Sequence, residues 1–166
     1  MGGIDKMEED QLPVNFMIIT ISNTHTLETD MNGGIIQSCL KENGYTNIIR
    51  DIIEEDQTSI HSALKRSSIN PVIDIIILND GYQCSDRLMN SHFIEEFFDY
   101  PIVGYGNLFQ DMQLLEPYVH MKPVAGVKHQ TAIFMLPGSV ETMRHTMNYL
   151  IIPSLKKIVS HYVIGA

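Results

Sequence analysis

The sequence predicts an α/β fold built on a mainly parallel sheet, and three observations lead there. Apolar residues gather in short, near-continuous runs: "FMIITIS" (16–22), "TNIIRDII" (46–53), "VIDIIIL" (72–78) and "QTAIFMLPGSV" (130–140). Runs of this kind, without apolar/polar alternation, suit strands covered on both faces. Between the first three runs lie segments whose apolar residues recur at helical spacing. That alternating order argues for right-handed strand–helix–strand units, which need a parallel sheet.

Each element has a local reason. The first strand runs into the polar connection "THTLETDMNGG" (24–34), in which Asp30 or Asn32 can cap a helix. That helix is expected over "GIIQSCLKEN" (34–43), with Ile35, Ile36, Cys39 and Leu40 on one stripe and Gly44 as its stop. Asp56 or Thr58 can cap the next, which turns Ile60, Ala63 and Leu64 inward. Asn70-Pro71 breaks the chain before the third strand, and "RLMNSHFIEEFFD" (87–99) spaces Leu88, Met89, Phe93, Ile94, Phe97 and Phe98 as a helix. A short apolar piece follows, then a Gly104-Tyr105-Gly106 turn and a helix led by Leu108 and Phe109. The fourth run ends in Pro137-Gly138-Ser139, and the last helix, from about Val140, is expected to kink or end at Pro153, which lacks an N–H.

A chain of 166 residues is enough for one domain with a sizeable core. Residues 1–14 are acidic and lack the apolar centre of a signal peptide, so they read as a flexible tail ahead of a single domain over 15–166. The formal net charge of -9 argues against a general nucleic-acid or anionic-membrane surface. An anionic ligand would need a local pocket of backbone N–H groups or cations. Cys39 and Cys84 have no zinc or disulfide spacing, no run is long enough to span a membrane, and a reducing cytoplasm is expected. The seven histidines show no metal-ligand spacing, and the ten methionines read as core filler. Phe93, Phe97, Phe98 and Phe109 exceed what a monomer this size must bury, which points to a homo-oligomeric interface.

Four stretches, in this order, resemble the molybdopterin-binding family of molybdenum cofactor biosynthesis in its MoaB/MogA branch. "ITISNTHTLETDMNGG" (19–34) is similar to the family's first strand and its Asp-x-Ser-Gly loop. "IVGYGNLF" (102–109) resembles Val-Gly-Phe-Gly-Glu-Leu-Phe, and "KPVAGVKHQTAIFMLPGS" (122–139) resembles the Arg-Ala-x-x-Gly segment, strand and Pro-Gly-Ser turn. The resemblance covers roughly 16–155 and implies a three-layer α/β/α sandwich, trimers or hexamers, and a pocket for a phosphorylated pterin dithiolene. It also implies encounters with other molybdenum cofactor biosynthesis proteins. No tightly bound cofactor is implied; molybdopterin is the ligand, and Mg2+ and ATP are candidate co-substrates, because the family's better-understood members adenylylate molybdopterin.

The family's Thr-Gly-Gly-Thr-Gly loop falls on Asn79, Asp80, Gly81, Tyr82 and Gln83, and its catalytic Asp falls on Leu88. Asp80 puts a negative charge where a phosphate would sit; like charges about 5 Å apart repel by about 3 kcal/mol at a dielectric of about 20. Leu88 is no magnesium ligand. Asp86, two residues earlier, is a weak substitute and reads rather as a helix N-cap, with Asp80-Gly81 as a tight turn. Glu55 aligns with a second family carboxylate and is a candidate metal ligand, or part of a solvated acidic face. Ser22, Asn23, Asp30 and Gly33 belong to the first-strand loop, where Ser22 and Asn23 offer uncharged hydrogen bonds to a ligand and Asp30 reads as a cap. Pro137, Gly138 and Ser139 form the best-preserved ligand turn, and Lys122 replaces a family Arg, keeping the charge but losing the bidentate fork. These residues imply a MoaB-type protein that binds molybdopterin or a related pterin with weak or no catalysis. The alternatives are an active MgATP-dependent molybdopterin adenylyltransferase and a non-catalytic oligomerising subunit or regulator without a pocket.

Overall fold

The computed structural model describes residues 13–80, 91–111 and 123–164. One sheet organises them, in the order β2-β1-β3-β6-β5-β4. Its strands are β1 (Phe16–Ile21), β2 (Ile48–Ile53), β3 (Ile75–Asn79), β4 (Tyr100–Pro101), β5 (Ala125–Lys128) and β6 (Thr131–Leu136). The pairs β1–β2, β1–β3 and β3–β6 are parallel, while β5 is antiparallel to both β4 and β6. The mainly parallel sheet of the sequence is therefore present. Its antiparallel edge, β4 and β5, is not visible as apolar runs because both strands are short.

Helices cover both faces, giving three layers. On one face Phe16, Ile18, Ile75, Ile77 and Phe134 pack with Ile36, Cys39 and Leu40 of α1 (Met31–Glu42) and with Met143 and Met147 of the C-terminal helix. On the other, Ile19, Ile76, Leu78, Ile133 and Met135 meet Ile60, Ala63 and Leu64 of α2 (Gln57–Ile69), with Ile94 and Phe97 of α3 (Ser91–Phe97). The period of two along each strand splits the apolar runs between two cores. Asp56 caps α2, accepting from the Ser59 N–H at 2.8 Å and the Ser59 hydroxyl at 2.6 Å. Gly44, at φ 88, ends α1 as expected.

Register is pinned where β3 begins. Asp74 accepts from the Asn15 N–H at 2.9 Å, and the Asn15 carbonyl accepts from the Asp74 and Ile75 N–H groups. Val14 is already buried in the first core.

Several expectations need correction. α1 starts at Met31 rather than 34, because Asp30 is its N-cap. Tyr105 and Gly106 are not in a turn: they open α4 (Tyr105–Asp111), and Gly104, at φ 90, makes the turn alone. Burying Tyr105 explains this, since its hydroxyl donates to the Met135 carbonyl at 3.2 Å. The last helix does not stop at Pro153. Val140–Thr146 (α5) widens into a π turn over Met147–Ile151, continues as Ile152–Ile158 (α6), and closes in a second π turn over Val159–Ile164. The wider turn absorbs the missing N–H, and the Ser154 hydroxyl takes the Leu150 carbonyl at 2.7 Å. Phe97 is buried, and Phe93 and Phe98 pack against the second core, so these aromatics are used inside the monomer.

Two outcomes follow for stability. Phe134 bridges β6 to the α1 layer, so Phe134→Ala is expected to lower the free energy of urea unfolding by about 4 kcal/mol. Asp99 accepts from the His129 N–H at 2.7 Å and from Lys128 Nζ at 3.1 Å, holding the β5–β6 turn, where His129 sits at φ 55. The His129 backbone bond, then the Lys128 bond, lowers the Asp99 pKa below its ordinary 3.8. A depressed carboxylate contributes stability above 3.8 and loses it as pH falls through its folded value. Asp99→Asn should therefore flatten the acid limb of a melting-temperature profile below about pH 4 and leave its neutral limb parallel to wild type.

Candidate functional site

The sheet's order places a crevice before any side chain is considered. From β1 the chain goes to β2 on one side and then to β3 on the other, so the connections diverge between β1 and β3. Open parallel sheets bind ligands outside the strand C-termini at such a divergence. β1, β3 and β6 end at Ile21, Asn79 and Leu136, so Ser22, Asp80 and Pro137 follow directly at the same end of three adjacent strands. Neighbouring strands lie about 4.8 Å apart, so Ser22 and the Pro137 turn flank Asp80 within roughly 10 Å.

A buried polar network supports this end of the sheet. Asp30 uses one carboxylate oxygen to cap α1, accepting from the Gly33 N–H at 3.0 Å. Its other oxygen accepts from the Thr20 hydroxyl at 2.6 Å and from the Arg50 guanidinium at 3.2 Å. The same guanidinium nitrogen donates to the Leu27 and Asp30 carbonyls, each at 3.2 Å. From β3, Asn79 donates its amide to the Thr20 hydroxyl at 2.9 Å. Asn32, one helical position before Gly33, reaches a different element, donating to the Gly138 carbonyl at 3.0 Å.

The residues singled out in the sequence fall into three groups. Ser22, Asp80, Pro137, Gly138 and Ser139 come together at the crevice. Ser22 is buried, and its hydroxyl accepts from the Thr24 and His25 N–H groups at 3.1 and 3.0 Å, which folds the loop back over β1. Ser139 caps α5 through the Thr142 N–H at 3.4 Å. Gly138 stands at φ 124, and a side chain there would meet Thr142 at 2.8 Å, so only glycine suits the turn.

The second group serves the scaffold. The Asn23 side-chain carbonyl accepts from the Glu55 N–H at 2.8 Å, tying the loops after β1 and β2 together. Gly33 is not in the loop but in the first turn of α1, where a Cβ would collide with the Asp30 carboxylate. Asp30 does cap, and it also carries the Arg50 ion pair. Glu55 sits at the rim, one strand beyond the crevice. The third group, Gly81, Asp86 and Lys122, with Tyr82, Gln83 and Leu88, lies outside the described residues.

Sequence reasoning missed Thr20 and Arg50, and read Asn32 only as a possible cap and Asn79 only as the first position of the ligand loop. A signal existed for two of them: Thr20 is a polar residue inside an apolar run, and Asn79 directly follows one. A polar group buried there needs a partner, and each is the other's.

Among the described residues, no three His, Cys, Asp or Glu side chains converge on a point. Cys39, whose thiol is pushed up by burial and then by Glu42, belongs to the core and offers no thiolate.

Comparison with known proteins agrees with the geometry. Residues 17–157 match the family model described as a probable molybdopterin binding domain. The chain is 31% identical over 149 residues to the molybdenum cofactor biosynthesis protein B of Bacillus cereus, covering 87% of this chain and 88% of that one. A crystal structure of a molybdenum cofactor biosynthesis protein B superposes with a TM-score of 0.77 at 30% identity, covering 89% of this chain and 96% of the other. The fold is shared with a tungsten cofactor synthesizing protein MoaB from Pyrococcus furiosus, at a TM-score of 0.71 and 21% identity over 92% and 98% of the two chains.

The Asp30–Arg50 pair can be tested directly. Its side chains are only 2% and 16% exposed, and removing one partner from a buried pair typically costs about 3 kcal/mol. Asp30→Ala is expected to lose about that much in urea unfolding. A cycle completed with Arg50→Met should show coupling above about 1 kcal/mol.

Proposed function

Because the chain belongs to the molybdopterin-binding domain family, as a MoaB-type protein of molybdenum cofactor biosynthesis, we propose that it binds molybdopterin or a related phosphorylated pterin with little or no adenylyl transfer. The ligand lies over the ends of β1, β3 and β6. The observation that carries this reading is the meeting of the Pro137-Gly138-Ser139 turn and Ser22 at the divergence of the parallel strands. Ser22 stands beside the pterin end as an uncharged rim, and the glycine-containing turn lets the phosphate approach backbone closely.

Asp80 weakens any transfer chemistry. Its carboxylate is buried immediately after β3, at the position that a phosphate-cradling loop would leave bare. Two fixed negative charges at that separation disfavour a triphosphate far more than a single phosphate bound a strand away. The described residues offer no cluster that would hold magnesium to offset it. In adenylylating enzymes MgATP would supply the transferred group itself; at this crevice the residues would bind and orient the pterin alone.

Self-association belongs to the same reading. Val103 is 88% exposed, and Tyr100 and Leu108 on the same β4–α4 stretch are exposed too, which leaves apolar surface for a second copy in a trimer or hexamer. Sedimentation velocity is expected to give a mass of three or six chains, and a monomer throughout the micromolar range would remove this part of the proposal.

Two measurements test the ligand reading. Anaerobic calorimetric titration with molybdopterin should show saturable binding in the micromolar range, and heat no different from buffer dilution would overturn it. With MgATP and molybdopterin, wild type should release pyrophosphate no faster than a protein-free control. A steady release proportional to enzyme would favour the adenylyltransferase instead.

A further inference from the structure

We propose that the acidic stretch ahead of Pro13 docks in a groove of its own chain, at the end of the sheet opposite the crevice, with its carboxylates set against Lys65. The groove shares no residue with the crevice. It consists of two hollows, of about 350 and 520 Å³, whose walls have Ser68, Ile69 and His129 in common. The larger hollow reaches Asp74 and Val163, and the smaller reaches Lys65 and Lys128. The floor is satisfied from within. Thr131 is buried there, and its hydroxyl reaches the Ile73 carbonyl at 3.2 Å and the Ser68 carbonyl at 3.4 Å.

The first argument for this occupant is where the chain enters. Asp74, in the wall of the larger hollow, accepts from the Asn15 N–H at 2.9 Å. Val14 is buried in the same core as Val163. The residues before Pro13 therefore set out from beside the groove.

The second is reach. The Asp74 carbonyl accepts from the Ala132 N–H, and Thr131 is paired with Lys128, so the groove crosses from β3 over β6 to β5. Two strand spacings come to about 10 Å. The chain from Asn15 back to Asp10 spans up to about 17 Å, which is enough to bring Asp10 and the residues before it to the smaller hollow.

The third is complementarity. Asp5, Glu8, Glu9 and Asp10 stand against a single lysine, Lys6, in residues 1–12. Although the chain's net charge is -9, the smaller hollow is lined by Lys65, Lys128, His61 and His129 against one carboxylate, Glu96. Glu96 is turned to His92 at 3.1 Å, and Lys128 to Asp99 at 3.1 Å. Among the described residues no carboxylate pairs with Lys65. Apolar surface is on offer as well: Ile69 is 67% exposed and stands in the wall of both hollows, a seat for Leu12. Exposed ion pairs are individually weak. A tethered segment, however, meets its groove at an effective concentration in the millimolar range, where weak contacts suffice.

The test is NMR relaxation on the full, isotope-labelled chain. In wild type the order parameters of Glu8, Glu9 and Asp10 should lie nearer the rigid value of about 0.85 than the flexible range below about 0.6. Lys65→Glu should drop them into the flexible range while the amides of β1 and β3 stay in place, which shows the fold intact. So should about 1 M NaCl, where the screening length falls to about 3 Å. Adding Glu8→Lys and Glu9→Lys to Lys65→Glu should bring order back, because the charges are then exchanged rather than lost. Flexible values in wild type would overturn the docking, and so would full order retained in Lys65→Glu. Order that appears only as protein concentration rises would overturn docking within one chain and give the groove to a second copy.

Discussion

The crevice end of this sheet depends on one buried carboxylate. Asp30 closes α1 onto the sheet, holds the β1 hydroxyl of Thr20, and neutralises Arg50 from β2. Each bond alone is modest, since an average intramolecular hydrogen bond nets only about 1 kcal/mol. Their value lies in convergence. A carboxylate taken out of water must have its oxygens satisfied, and here satisfying them requires β1, β2 and α1 to stand in one arrangement. Asn79 extends the requirement to β3 through Thr20. Three parallel strands and a helix start are thereby fixed at the level from which their loops leave for the crevice.

That foundation also explains the division of labour among the residues above it. Arg50, the cation beneath the crevice, is engaged with Asp30. The bond from Asn32 to the Gly138 carbonyl ties the turn after β6 to the first turn of α1. A chain with net charge -9 would need dipoles held in orientation at that turn to receive an anion.

How much of this was legible in the sequence depended on range. Apolar runs announced β1, β2, β3 and β6, because strands buried on both faces must be apolar along their length. The stripes Ile36–Cys39–Leu40 and Ile60–Ala63–Leu64 announced α1 and α2 for the same reason. β4 and β5 were invisible, being two and four residues long and held by their neighbours rather than by their own pattern. Pro153 misled, because its missing hydrogen bond is compensated by a π turn, a tertiary accommodation with no local sign. At the site, the motif residues Ser22, Gly138 and Ser139 were found where strand ends meet. Asn23 follows Ser22 there with its carbonyl turned to the Glu55 N–H, a partner 32 positions away that nothing local announces, and Gly33 stands in the first turn of α1 because Asp30 caps that helix. Arg50 and Asn32 act across 20 and 106 positions, and no periodicity encodes such partners.

The pin between Asn15 and Asp74 lies at the far end of β3, yet the chemistry of the crevice is hostage to it. Sheet side chains alternate, so a frame error of a single residue inverts the facing of everything downstream. Were β3 threaded one place further along, Asp80 would arrive where Asn79 now meets Thr20, and its carboxylate would share one dry corner with that of Asp30. A mooring at the bottom of the sheet thus rules out, before any ligand arrives, the one misalignment that would turn the top against itself.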